Sequence, residues 1–357
     1  MIERPSAAFL DALRAVAPGT ALREGLDRIL LGGKGALIVV GDGPEVLNIC
    51  SGGFLLDAAF SPQRLSELAK MDGAIILAPD AARIARANVH LVPDATVPTA
   101  ETGTRHRTAE RVARSLDVTV VSVSEDMGVI AVYRGDEKLR LDPVREVLLH
   151  ANQALQTLER YRSRLDEVTT TLSTLEVEDL VTLRDVIALL QRAEMVVRIA
   201  EEIEVDLVLL GSEGRQIQLQ LAELMGDVED ERRLVVRDYL AGDSEDELAE
   251  ALDALAHLEM SDLLDPAKLA EVLHLDLDEV DLAAPLTPHG HRLLAQIPRL
   301  PEVVADRVVE RFGVLPKILR ASTDDLVEVE GVGESRARAI REGLRRISQT
   351  RILDRFA

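Results

Sequence analysis

GTRHRTAERVARSLDVTVVSVSEDMGVIAVY, residues 103–133, changes its pattern twice. The first part reads as a helix over about 105–116, with Thr104 as its N-cap. Two apolar, β-branched runs follow, VTVVSV (118–123) and VIAVY (129–133), on either side of Ser124-Glu125-Asp126-Met127-Gly128, a hairpin turn. A helix that feeds a strand hairpin asks for an α/β domain with a central sheet.

Upstream the alternation continues. ALIVV (36–40), GAIIL (73–77) and VHLV (89–92) read as strands. Ser6–Val16 places Phe9, Leu10, Leu13 and Val16 on one helical face, and Leu22–Leu31 repeats that pattern. Pro62–Lys70 reads as a helix capped by Ser61. Downstream the strand signal stops. Ala151, Ala154, Leu158, Tyr161, Leu165, Val168, Leu172 and Leu175 alternate spacings of three and four, a heptad seam about 38 Å long. A second helix runs through Leu183, Ile187, Leu190, Ala193 and Val197, and short acidic helices continue to about 275. Three segments result: 1–140 α/β with a mixed sheet, 141–288 an all-α spine suited to spacing and assembly, and 289–357 a small all-α module.

The 357 residues carry 41 Lys+Arg against 63 Asp+Glu, a net charge of −22. Such a chain cannot coat nucleic acid over its whole surface. The charge is uneven, however. Residues 289–357 hold 13 Lys+Arg and 10 Asp+Glu, a net of +3, so the first 288 carry −25. That asymmetry points to an anionic partner at the C-terminal end. Aromatic residues make up 2 %, without Trp, which argues against base-stacking platforms. One cysteine, Cys50, excludes a disulfide framework and a cysteine zinc cluster; it reads as a small packed residue. Glu3 and Asp11 stand where a signal peptide needs a basic region and an apolar run, and no apolar run is long enough to span a bilayer. A cytoplasmic protein without a membrane partner is expected.

No Gly-x4-Gly-Lys-Ser/Thr surrounds Gly33-Lys34-Gly35, and Gly41-Asp42-Gly43 lacks the third glycine of a dinucleotide fingerprint. A phosphate site must be built otherwise. Thr104-Arg105-His106-Arg107-Thr108 offers two guanidiniums and two hydroxyls where free backbone N–H groups favour an anion. The bland reading is an exposed basic helix start, although arginine there opposes the helix dipole. Asp72-Gly73-Ala74 opens a strand; it offers a carboxylate for a divalent ion beside a glycine that admits a ligand, or else a plain Asp-Gly turn.

Together, Asp72-Gly73-Ala74, Gly103-Thr104-Arg105-His106-Arg107-Thr108 and Ser122-x-Ser124-Glu125 resemble the diadenylate cyclase family, whose two core motifs stand here intact and in order. The order of cyclase domain, helical spine and C-terminal helix-hairpin-helix also matches a multidomain branch of that family. The resemblance implies condensation of two ATP into cyclic di-AMP with Mg²⁺ or Mn²⁺. It implies that Asp72 and His106 belong to the metal and reaction centre, together with Arg105 and Arg107. Thr104, Arg105, Arg107 and Thr108 would hold phosphates, with Ser124 near the phosphate chain and Glu125 as a neighbour. Gly73 would let ATP approach the strand, and Leu91 would line the adenine pocket. It further implies facing cyclase domains in an octamer.

The C-terminal signal is separate. Glu330-Gly331-Val332-Gly333-Glu334-Ser335 precedes a helix over 336–347, and resembles a helix-hairpin-helix motif whose N–H groups meet a DNA phosphate. Gly331, Val332, Gly333, Ser335 (as cap), Arg336 and Arg338 are the expected DNA contacts, and branched DNA is the expected partner. Ile297-Pro298-Arg299-Leu300-Pro301 reads as a degenerate second hairpin without glycines. His289 and His291 flank Gly290 in what reads as a solvated linker, and Asp243–Glu250 as a solvated acidic face. The alternatives are a non-catalytic branched-DNA scaffold and a repair nuclease. The nuclease is disfavoured because the C-terminal module lacks a carboxylate cluster. A DNA-binding reading adds the nucleoid as an associated location.

Overall fold

Ser6 Oγ accepts the Phe9 N–H to open α1 (Ala7–Ala15), and Thr20 Oγ1 accepts that of Arg23 to open α2 (Ala21–Leu31). The computed structural model describes residues 5–242, 244–275 and 281–354, with side chains to 349; Glu3 and Asp243 lie outside the described residues. Next come β1 (Ala36–Val40), α3 (Pro44–Asn48), β2 (Cys50–Ser51), β3 (Phe54–Ala59), α4 (Pro62–Leu68, capped by Ser61) and β4 (Ala74–Leu77). They are followed by β5 (Arg83–Leu91), α5 (Thr104–Leu116), the hairpin β6 (Thr119–Ser124) and β7 (Val129–Arg134), and β8 (Glu137–Leu141). The sheet order is β2-β5-β4-β1-β6-β7-β8, with β3 also on β5. β1 runs parallel to β4 and antiparallel to β6, which makes the sheet mixed.

Alternate residues of each strand face opposite sides. Ile38, Ile75, Leu77, Val121 and Val123 pack with Phe9, Leu13, Leu26 and Leu65 beneath α1, α2 and α4. Leu37, Val39, Ile76 and Val120 pack with Val46, Ala109, Val112 and Ala113 beneath α3 and α5. Helices on both faces of one sheet give three layers. The sequence reading lacked α3, β2, β3 and β8 and began β5 at 89. β3 carries Phe54, Leu55 and Leu56 but leaves them exposed, with Asp57 breaking the run, and β8 alternates half-buried with exposed residues.

Contact clustering gives two compact units, Met1–Ala154 with Glu202–Gln220, and Leu155–Glu201 with Leu221–Ala357. The helices that follow the sheet are α6 (Val144–Glu178), α7 (Leu183–Leu210), α8 (Arg215–Met225), α9 (Val228–Tyr239), α10 (Glu245–His257), α11 (Met260–Leu263) and α12 (Pro266–Val272). Within the second unit Leu158, Leu165 and Leu172, seven residues apart, are buried by the chain itself. Tyr161, Val168 and Leu175, which alternate with them along the stripe, are half-buried.

The chain ends in α13 (His291–Ala295), α14 (Glu302–Phe312), α15 (Leu315–Arg320), α16 (Thr323–Val327) and α17 (Glu334–Asp354), around a core of Leu294, Val308, Leu315, Leu326, Ala337 and Ile340. The turns α13–α14 and α16–α17 follow the same course. Leu300 N–H donates to Ile297 O at 3.2 Å as Val332 N–H does to Val329 O at 3.0 Å. Arg299 has φ 63° where Gly331 has φ 84°.

His289 and His291 do not lie in a solvated linker. Asp238 of α9 is buried and accepts N–H bonds from Gly290 (2.7 Å), His291 (2.7 Å) and Arg292 (2.9 Å). Arg292, also buried, bonds Glu176 at 2.6 Å, Glu231 at 2.9 Å and Ser173 at 3.0 Å. Buried charges need such partners, and these tie α13 to α6 and α9 within the second unit.

Candidate functional site

Helix α5 starts at Thr104, one residue before the expected start. Thr104 is therefore not the cap; Gly103 is, and it offers no side-chain acceptor. The first N–H groups of the helix are left for an anion. Arg105, on this turn, reaches back across the sheet. Its Nη2 stands 3.5 Å from Asp72 Oδ1, and its guanidinium fills the space over Gly35, where a Cβ would come 2.2 Å from Nη1. A side chain at 35 would have to displace the Arg105 guanidinium. Asp72 is fully exposed at the head of β4. The two core motifs, 33 residues apart, thus meet.

His106 is buried, and its Nδ1 lies 2.9 Å from both Ser122 Oγ of β6 and Tyr133 OH of β7. Burial pushes its pKa down; Glu101 pulls it back up in part, and the nearby Arg140 and Arg105 cations reinforce the lowering. Tyr133, raised to about 12 chiefly by burial, donates to Glu101 Oε1 at 3.4 Å. Glu101 is met by Lys138 at 3.2 Å and Arg140 at 3.6 Å. Glu110 accepts from Thr99 and from Ala100 N–H at 3.0 Å, holding the approach to α5. Burial would raise the Glu110 pKa, but the Thr99 bond and the cations Lys138 and Arg114 bring it down.

Arg107 is exposed on the same turn, and Thr108 Oγ1 donates to Thr104 O at 2.9 Å. Ser124 Oγ accepts the Met127 N–H at 3.3 Å and so also closes the hairpin. Glu125 stands 3.9 Å from Lys34 Nζ, which brings the Gly33-Lys34-Gly35 loop to the site. Gly73 is also required by protein backbone: a Cβ there would lie 2.3–2.6 Å from Asn88 and Val89 backbone atoms. Leu91 is buried in the core beneath α3 and α5, and Cys50 opposes it across β2 and β5.

Gly35, Lys34, Glu101 and Tyr133 were not read as part of the site, and Ser122 was noted only within the Ser122-x-Ser124-Glu125 motif. Ser122 and Tyr133, the partners of His106, lie 16 and 27 residues from it, on strands that only the fold brings beneath the helix.

In the second unit, Gly331, Gly333, Ser335, Arg336 and Arg338 are exposed, while Val332 is buried as the pin of the turn. Ser335 is not a cap, because α17 begins at Glu334. Arg336 Nη1 donates to Gly331 O, and Arg338 pairs with Glu334 at 3.3 Å.

Among the described residues, no group of three or more His, Cys, Asp or Glu side chains could hold a metal. The expected Asp72–His106 pair is thus no preformed cage. One exposed carboxylate beside the uncapped start of α5 still fits Mg²⁺ or Mn²⁺, ions held by one or two carboxylates plus substrate phosphates. Among the described residues, no helix is long and apolar enough to cross a membrane.

Two family models match the chain: the DisA bacterial checkpoint controller nucleotide-binding domain over residues 23–138 and the linker region over 141–281. A DNA integrity scanning protein DisA of Frankia alni is 55 % identical over 349 residues, covering 98 % of this chain and 97 % of that one. That of Kineococcus radiotolerans is 53 % identical over 353 residues, covering 99 % and 98 %. That of Streptomyces coelicolor is 51 % identical over 351 residues, covering 97 % and 93 %. The chain belongs to the DisA family of DNA integrity scanning proteins, and carries its diadenylate cyclase domain ahead of the family's linker.

Proposed function

We propose that this diadenylate cyclase condenses two ATP molecules into cyclic di-AMP, through the surface where Arg105 meets Asp72. The 3′-hydroxyl oxygen of one nucleotide bonds to the α-phosphorus of the other. The bond to the β-phosphate breaks, pyrophosphate leaves, and the hydroxyl proton is lost. A second such step closes the ring. The observation that carries the reading is the 3.5 Å approach of Arg105 to Asp72 beside an uncapped helix start. Arg105 and Arg107 bind and orient phosphate by charge-assisted bonds, helped by the Thr104 and Thr108 hydroxyls and by Ser124. Asp72 would hold Mg²⁺ or Mn²⁺, which supplies Lewis-acid neutralisation of phosphate charge. Most of the catalysis is positioning and charge stabilisation. Each domain presents one ATP, so facing domains suit the twofold product, and the working unit is an oligomer, the octamer. Incubating the purified chain with ATP and Mg²⁺ or Mn²⁺, with chromatographic detection of cyclic di-AMP, tests this; no product refutes it.

Residues 289–357 act in this proposal as a helix-hairpin-helix module for branched DNA, with Gly331–Gly333, Arg336 and Arg338 on phosphates. DNA bound there lowers cyclase output. The test is the same assay with and without a four-way junction, on the intact chain and on the double variant Arg336→Ala, Arg338→Ala. Equal inhibition of both refutes the coupling.

A further inference from the structure

His106 has one ring nitrogen whose neighbours define its protonation. Nδ1 sits 2.9 Å from Tyr133 OH, and that hydroxyl sits 3.4 Å from Glu101 Oε1. A carboxylate only accepts, so the tyrosine proton goes to Glu101. The tyrosine oxygen is then left to accept, and Nδ1–H is the donor it faces. Ser122 Oγ, 2.9 Å from the same nitrogen, turns its own hydrogen to suit. Glu101 is held in place by Lys138 and Arg140. The other edge of the ring faces the start of the helix, with Cδ2, the carbon beside Nε2, 3.4 Å from where a Cβ on Gly103 would stand.

We propose that Tyr133 is a positioning residue: by giving its proton to Glu101 it fixes His106 as the Nδ1–H tautomer. Nε2 then carries the lone pair at the start of α5, where a substrate hydroxyl or a bound water can donate to it. An orienting partner of this kind is typically worth about 10–100-fold in activity, by analogy with outer-shell partners of metal-bound histidines. The kinetic consequence rests on the cyclase reading above; the tautomer does not.

The test uses the full chain in two arms. Solid-state spectra of ¹⁵N-histidine-labelled protein, with His106 assigned by its loss in His106→Gln, should show Nδ1 protonated and Nε2 bare. Tyr133→Phe should move population to the Nε2–H form. In the cyclase assay Tyr133→Phe should lower kcat about 10–100-fold, with KM for ATP within about threefold, and Ser122→Ala should lower it less. An Nε2–H ring in the wild-type protein overturns the proposal, and this needs no folded variant. A Tyr133→Phe kcat within twofold of wild type, or an equal loss in Ser122→Ala, overturns it as well. Absence of product from the wild-type chain would instead refute the cyclase reading and leave the tautomer assignment standing.

Discussion

Arg105-His106-Arg107 and Arg336-Ala337-Arg338 occupy the first turns of α5 and α17, each behind a glycine, and the residue between the arginines is what separates them. At α5 that residue is a buried imidazole held by hydroxyls on two strands, and Arg105 reaches a carboxylate from a third. At α17 it is a buried methyl group, and Arg336 and Arg338 bond only their own turn. Polar anchoring fixes a guanidinium in one place, which suits chemistry at an α-phosphate. Apolar packing leaves guanidiniums free at the surface, which suits a phosphate backbone read without base contacts. On the proposed function, identical spacing serves two purposes, decided by what lies underneath.

If that contrast holds, distant partners matter at the first helix and not at the second. The largest effect is expected from Asp72→Asn, which keeps shape and removes charge. Cyclic di-AMP synthesis should fall at least about a thousandfold, or about 4 kcal/mol, with an unchanged circular dichroism spectrum. Near-normal synthesis by the folded variant would make Arg105 as loosely held as Arg336.

A second buried imidazole lies in the hairpin module, and acid should find it. Burial, with Arg237 and His289 adding to it, depresses His291 to about 4. Asp306 stands 3.4 Å from its Nδ1, with Glu302 and Arg233 also near. The native pKa lies below the ordinary value of about 6.5, so the unfolded chain takes up the proton first as pH falls. His291 thus contributes stability that is complete above about 6.5 and is lost as pH falls toward about 4, roughly 3 kcal/mol over the window. Melting curves at pH 7.5 and 4.5 should show a smaller acid loss in His291→Gln than in wild type. An equal loss would place the acid response elsewhere.

The presented arginines are the subject of a third test. Arg336→Ala with Arg338→Ala should weaken junction binding about 10–100-fold and lower the slope of log affinity against log salt by about 1.8, for two phosphate contacts. Substituting base sequence should change nothing. Point variants are the suitable tool, because cutting the chain at 288 would strip Asp238 and Glu176 of their partners Gly290, His291 and Arg292.

Residues 103–133 were legible because apolar period and turn chemistry are local signals. So was the proposed site, as far as Asp72 and the Arg105–Thr108 turn reach. Its supports were not. Tyr133 reads as one more strand residue, and only the fold brings it to Glu101, 32 residues away. Asp238 and Arg292 drew no reading at all, since sequence period does not reveal that two charges are buried together 54 residues apart. Gly73 was legible as a constrained glycine but not for its reason, the backbone of Asn88 in a left-handed conformation (φ 54°) against it. β3 escaped because its apolar run is only three residues long, Phe54 to Leu56, before Asp57 (φ 47°) interrupts the strand at an irregularity in its pairing with β5.

The smallest predicted effect compares the two hairpin turns themselves. Arg299 and Gly331 share a left-handed backbone, with φ 63° and 84°. An L side chain in that region costs about 1–2 kcal/mol, and glycine returns about 0.4–1 kcal/mol of this through the freedom it gives the unfolded chain. Arg299→Gly should therefore stabilise the chain by about 0.5–1 kcal/mol. Gly331→Ala should destabilise it by about 1 kcal/mol for the converse reason. The nearest atom to the added Cβ is Arg307 Nη1 at 3.1 Å, the end of a flexible side chain, so the cost at Gly331 is conformational and not a clash. Urea unfolding of both variants reads the pair. Opposite signs mean that the first turn keeps an arginine against its backbone preference, and junction binding by Arg299→Gly then shows whether a phosphate contact is the reason. Destabilisation by both would mean that the Arg299 side chain contributes more to the fold than its φ costs, and the two turns would be alike in course but not in energetics.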